Sequence, residues 1–138
     1  MNVEVDNAGA LDTRGTGWFV RFSEWSRSTG NNLRHIPQDE PLTGLCVKWF
    51  RHEADDPNGQ GKPVSEGRTL SLLAGAPGEF RIEFSLDARF ANGETLVHTL
   101  RLPGDFVIWG EGVHHRWFSL QPSCILTIRW SAQTRSTA

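Results

Sequence analysis

Glycine and proline set the limits on this chain. Fourteen glycines and seven prolines are spread through 138 residues, and they interrupt the sequence every few positions. In a helix interior each glycine costs roughly 1 kcal/mol and each proline about 3 relative to alanine. No long helix survives that spacing. A strand needs only about 5–6 residues, so strands do. Eight segments read as strands: WFVRFSEW (18–25), GLCVKWFR (44–51), RTLSLLAG (68–75), FRIEFSL (80–86), ETLVHTLRL (94–102), DFVIW (105–109), VHHRWFSL (113–120) and SCILTIRW (123–130). The period of two is plainest in FRIEFSL, where Phe80, Ile82, Phe84 and Leu86 are expected inward and Arg81, Glu83 and Ser85 outward. In ETLVHTLRL, Leu96, His98, Leu100 and Leu102 share a face; in GLCVKWFR, Leu45, Val47 and Trp49 do. Many short strands with almost no helix predict an all-β domain, a jelly roll or closed barrel.

One domain is the natural division at this length. Residues 1–17 read as a polar N-terminal arm, 18–130 as a single barrel domain and 131–138 as a polar tail. Fourteen Lys and Arg against sixteen Asp and Glu leave a net charge of -2, and the basic residues form no block. That argues against nucleic acid and acidic membrane surfaces as partners. The first twenty residues lack a basic start followed by an apolar run, and no apolar stretch nears the ~18 residues of a membrane span. The expected address is cytoplasmic. Cys46 and Cys124 each sit in an apolar run and are expected as buried, reduced thiols.

The stretch GDFVIWGEGVHHRWF (104–118) puts a strand, a glycine-rich turn and two histidines ahead of a second strand. It resembles the second conserved motif of the cupins. Gly104, Gly112 and His115 stand at fixed places of that motif, Gly110 at its proline place and Ser119 at its asparagine place. TGLCVKWFRHEAD (43–55) and RTLSLLAGAPGEFRIEF (68–84) look like the strands that flank the first motif. The resemblance covers about residues 43–130 and implies a double-stranded β-helix, or jelly-roll barrel, of the small sugar-epimerase-like (RmlC-like) kind. It further implies a homodimer.

The first cupin motif would supply two histidines and a glutamate to a metal. With Gly75 as its last glycine, those places fall at Lys62, Val64 and Arg68. None of the three is a ligand. The resemblance therefore implies a barrel without a tightly held metal and without a required cofactor. The alternative is a rearranged site for Fe, Mn, Ni or Zn built from His115, His98, His52 and Glu66.

His115 at the motif's ligand place is expected to face the barrel, with Trp117 and Ser119 on the same face. His98 is expected inward among leucines, His114 outward. His52 and His35 lie in or beside loops and are expected at the surface, like Glu111 in its turn. Trp49, Trp109, Trp117 and Trp130 are expected to pack in the core or an interface. Arg68, if inward, would put a guanidinium where a metal's charge belongs and could hold an anion bidentately. The pocket expected from these residues is His115, Trp117, His98, Arg68 and Ser119, with His115 the candidate acid or base. Three readings stay open. One is a small-molecule binder with an aromatic pocket. Another is an enzyme, either a metal-dependent dioxygenase or isomerase or a metal-free epimerase. The third is a ligand-free structural dimer.

Overall fold

A computed structural model of the chain describes residues 1–15, 17, 19, 42–91 and 93–132. The expected strand at 18–25, His35 and the end of the tail lie outside the described residues, apart from Phe19. Among the described residues there are eight strands and one 3-10 turn, Pro57–Gly59. The strands are β1 (Val3–Asn7), β2 (Leu42–His52), β3 (Arg68–Leu73), β4 (Glu79–Ser85), β5 (Leu96–Leu100), β6 (Asp105–Trp109), β7 (His114–Gln121) and β8 (Ser123–Ala132).

They form two antiparallel sheets, one of five strands in the order β1-β6-β3-β8-β2 and one of three in the order β5-β4-β7. The cross-sheet order, in which no two consecutive strands are neighbours in the larger sheet, is that of a jelly roll rather than a meander. Strand β6 is DFVIW as expected. Residues 3–7, inside the expected arm, instead pair with β6 along Val3↔Trp109 to Asn7↔Asp105 and extend the larger sheet.

The facing surfaces of the sheets hold the main core. Phe80, Ile82 and Phe84 from β4 meet Leu73, Val107, Trp109 and Ile125 from the larger sheet, with Leu100, Val113 and Trp117 closing the set. Each such side chain, fully buried, stabilises the fold by about 1.5–3 kcal/mol through removal of apolar surface from water. The larger sheet also carries an outer cluster of Leu70, Phe106, Ile108 and Trp130, covered by Ala8, Leu11 and Phe19. The central strands β3 and β6 are thus buried on both faces, which explains their near-continuous apolar runs.

Several expected placements are overturned. Cys46 is exposed and Cys124 half-buried, both as free thiols. Both sit at the β2–β8 edge of the larger sheet, where Trp49 Nε1 contacts Cys124 Sγ. Trp49 is 73 % exposed and Val47 64 %. As an edge strand β2 is exposed on both faces over residues 46–51, Phe50 at 49 % included, and only His52 at its end is buried. Leu86, Leu96 and Leu102 are exposed, since each lies at or beyond the end of a strand, where the opposite sheet no longer covers it.

Candidate functional site

The space between the sheets is not filled. A cavity of about 260 Å³ lies at one end of the barrel, lined by residues of both sheets and of the loop after β2. The larger sheet contributes Lys48 and His52 from β2, Thr69 and Ser71 from β3, Trp109 from β6, and Ile125, Thr127 and Arg129 from β8. The smaller sheet gives Phe80, Ile82, His115 and Trp117, and the loop gives Lys62 and Pro63. The alternation of the strands explains the set: Lys48 opposes Thr127, which opposes Ser71, so all three face the same way. One step along, Thr69 opposes Arg129.

Charge in this cavity is one-sided. Three cations, Lys48, Lys62 and Arg129, line it, and among the described residues no carboxylate does. Lys62 lies 5.7 Å above the ring of Trp117. Among the described residues no ion pair engages Lys48, Lys62 or Arg129. By contrast the nearby Arg116 is paired with Glu83 at 2.6 Å.

His115 stands in the middle of this field. Its ring packs 4.8 Å from Trp109, and its Nδ1 is buried with no hydrogen-bond partner among the described residues. Trp109 Nε1 is buried and unpartnered in the same way. Burial, followed by the charges of Arg129, Lys62 and Lys48, pushes the His115 pKa down to about 4. The ring is neutral at neutral pH.

His52, expected at the surface, is 6 % exposed. It ends β2 and is enclosed by aromatic rings, with centroids 4.3 Å from Trp117, 4.7 Å from Phe50 and 5.1 Å from Phe80. Its Nδ1 is 2.9 Å from Asp56 Oδ2. Asp56 is itself fixed: its Oδ1 accepts from the Asn58 backbone N–H at 3.0 Å and from Asn58 Nδ2 at 2.7 Å. The 3-10 turn that follows lies flat against β7. A side chain at Gly59 would place its Cβ 1.9 Å from the Trp117 carbonyl oxygen, so only glycine allows this approach. Burial lowers the pKa of His52, while the hydrogen bond and charge of Asp56 oppose that shift. The hydrogen bond from His52 holds the Asp56 carboxyl below its usual range.

Of the five residues expected in a pocket, His115 and Trp117 line the cavity. Ser119 is buried beyond it and donates to the Gln121 carbonyl. His98 is half-buried on β5, opposite Ile82, and its pKa is lowered by burial. Arg68 does not line the cavity: it opposes Trp130, whose side chain belongs to the outer cluster, so its strand position faces away from the interior. The cations within are Lys48, Lys62 and Arg129. Lys48 and Arg129 share one side of the β2–β8 pair, where Cys46, Lys48 and Phe50 oppose Arg129, Thr127 and Ile125, and Lys62 comes from the loop before β3. His114 is half-buried beside Lys62, Arg89 and Arg116 in a neighbouring groove. Glu111 is exposed in its turn.

The rearranged metal set does not assemble. Among the described residues no three of His, Cys, Asp and Glu come together as ligands. His52 and His115 share the cavity, but His98 does not line it, and Glu66 lines an adjoining pocket with His115. The donors present do not fit a divalent cation: the charged side chains acting on His115 are themselves cations, the Asp56 carboxylate is committed to His52 and Asn58, and Glu66 lines only the adjoining pocket.

No protein-family model matches the chain, and no curated protein sequence matches it significantly. Solved structures do resemble it. A sugar 3,4-ketoisomerase, QdtA, from Thermoanaerobacterium thermosaccharolyticum, in complex with TDP, superposes with a TM-score of 0.56 at 14% identity, covering 97% of this chain and 83% of that one. Streptomyces albus HEPD, with 2-hydroxyethylphosphonate and Fe(II) bound, superposes with a TM-score of 0.52 at 15% identity over 66% of this chain. Hydroxypropylphosphonic acid epoxidase from S. wedmorenis gives 0.48 at 12% identity over 62% of this chain. The chain spans 42% of the epoxidase and 19% of HEPD. The fold is that of the cupins; at these identities the likeness extends to the fold alone.

Proposed function

We propose that the barrel cavity binds a small organic anion, a phosphate- or carboxylate-bearing molecule, without a tightly held metal. The observation that carries this reading is the convergence of Lys48, Lys62 and Arg129 on one cavity that no carboxylate lines among the described residues. Three like charges in one recess repel each other and cost folding free energy. An anion offsets that repulsion, with the Arg129 fork suited to oxyanions and the lysines acting as point charges. Supporting it further, the unpartnered Nδ1 of His115 and Nε1 of Trp109 offer hydrogen bonds to the ligand's polar groups. The hydroxyls of Thr69, Ser71 and Thr127 line the same wall. The indole of Trp117 gives an apolar face on the opposite side. The same fold accommodates such groups elsewhere: QdtA was solved with TDP and HEPD with a phosphonate.

Titration with inorganic phosphate, read by the fluorescence of Trp109 and Trp117, tests the proposal. A saturable change is expected, with half-saturation moving to higher phosphate as sodium chloride rises, because the attraction is largely coulombic and partly exposed to screening. A fluorescence signal that never saturates, or one indifferent to salt, would count against an anion pocket.

A further inference from the structure

The cavity adjoins a second recess of about 250 Å³. Pro63, Thr69, Trp109, His115 and Arg129 line both, so the two share a wall. Glu66 lines the second recess alone. Among the described residues, Glu66 and Arg129 carry the two full charges of that recess, and no ion pair engages either of them. Opposite charges thus line one space without meeting across it.

The chain fixes where Glu66 stands. Its neighbour Ser65 is tied to the turn before β7: the Ser65 N–H donates to the Val113 carbonyl at 3.3 Å, and the Gly112 N–H donates to the Ser65 carbonyl at 3.0 Å. On the other side Gly67 lies against the end of β8, where an added Cβ would stand 2.2 Å from the Trp130 carbonyl oxygen. Only glycine allows that approach. The Ser65 hydroxyl donates to the Gly67 carbonyl at 2.6 Å and closes the turn. Glu66 is therefore held in the middle of a fixed turn, as an exposed side chain at the recess. A carboxylate in that place weakens the hold of the neighbouring cations on a plain anion. It strengthens the hold on an anion that also carries a positive group.

We propose that the ligand is a small zwitterion, an amine joined by a short chain to a phosphate or a carboxylate. This rests on the anion-pocket reading above. The anionic end lies among Lys48, Lys62 and Arg129, and the ammonium lies toward Glu66. The three cations repel the ammonium, so only one orientation brings both ends to opposite charges. The ammonium donates charge-assisted hydrogen bonds to the Glu66 carboxylate. A ligand that spans both recesses passes Trp109 and His115 on the shared wall. Each of these keeps a buried ring nitrogen without a hydrogen-bond partner among the described residues.

Calorimetric titration at low salt with two matched pairs of probes tests the proposal. One pair is phosphoethanolamine and ethyl phosphate, the other β-alanine and propionate. Within each pair the molecules differ by the ammonium group. At about pH 8 the anionic ends are ionised and the amines charged. The native protein is expected to bind the zwitterion of at least one pair at least about 10-fold more tightly than the plain anion, the least that one charge-assisted hydrogen bond is expected to give. The pair that shows the preference identifies the anionic end. Glu66→Gln keeps the shape and removes the charge. This variant is expected to bind the zwitterion no more tightly than the plain anion, with the melting temperature of the native protein, since it has no ion pair to lose. A native protein that binds the members of each pair alike, or a Glu66→Gln protein that keeps the preference, would overturn the zwitterion assignment. So would failure of all four probes to bind where inorganic phosphate binds. Failure of the probes and of phosphate together would instead overturn the anion pocket on which the assignment rests.

Discussion

Trp117→Ala is expected to lower the free energy of unfolding by about 3–5 kcal/mol. The residue is 9 % exposed, and it joins three parts of the structure at once. Its ring stacks 5.1 Å from Phe80, lies 4.3 Å from His52 and sits under the Lys62 ammonium. Its backbone and ring are also the surface against which Gly59 closes the loop after β2. Alanine there removes the apolar surface and leaves a hole that the fixed loop cannot collapse into. Urea unfolding monitored by circular dichroism reads the effect, and a loss under about 1 kcal/mol would mean that the loop and β7 are not packed as described.

Acid is expected to destabilise the protein well before its carboxylates titrate. His115 has its pKa moved from 6.5 down to about 4, so the folded state resists a proton that the unfolded chain accepts. Stability held above pH 6.5 is therefore lost as the pH falls from about 6.5 to about 4, and by the lower limit this one group accounts for about 3 kcal/mol. His52 and His98 are shifted in the same direction and add to the fall in the same range. The lowered carboxyl of Asp56 extends the decline to more acidic pH. Melting temperatures measured across pH 8 to 4.5 follow this directly. His115→Gln is expected to flatten the profile, and a native protein with a flat profile over that range would contradict the burial and field assigned to His115.

Most of the barrel was legible because its strands are short and bounded by glycine and proline. DFVIW and FRIEFSL gave their bounds to within a residue, since in each the alternation or apolar run ends at a turn signal. His115 and Trp117 were expected to face the barrel from the motif and the period of two, and both line the cavity. The rest was hidden for definite reasons. Lys48 and Arg129 are charged residues on strands, and a pattern based on burial sends such residues outward. They line the cavity and are exposed all the same, because the recess opens to solvent and long charged side chains keep their heads in water there. His52 was assigned to a loop edge because Pro57 and the glycines beyond it dominate the reading of that stretch. The signal that finds it is the spacing His52–Asp56 ahead of Pro57-Asn58-Gly59, where a carboxylate that caps a tight turn can also turn back to a strand end. Arg68 was placed by alignment to a motif that this chain does not keep, and the β3–β8 register puts it one step out of phase with Thr69 and the interior.

The most direct test of the account compares phosphate binding by the native protein and by a Lys48→Met, Arg129→Met double variant, using calorimetric titration at low salt. Methionine is unbranched and flexible like the apolar stems of both side chains, and it removes both charges. Charge-assisted hydrogen bonds contribute about 1.5–3 kcal/mol each, so the double variant is expected to bind at least about 100-fold more weakly. Its melting temperature without phosphate is expected to be unchanged or raised, because the repulsion within the cavity is relieved. A double variant that binds phosphate as tightly as the native protein would contradict the claim that this cavity is an anion site.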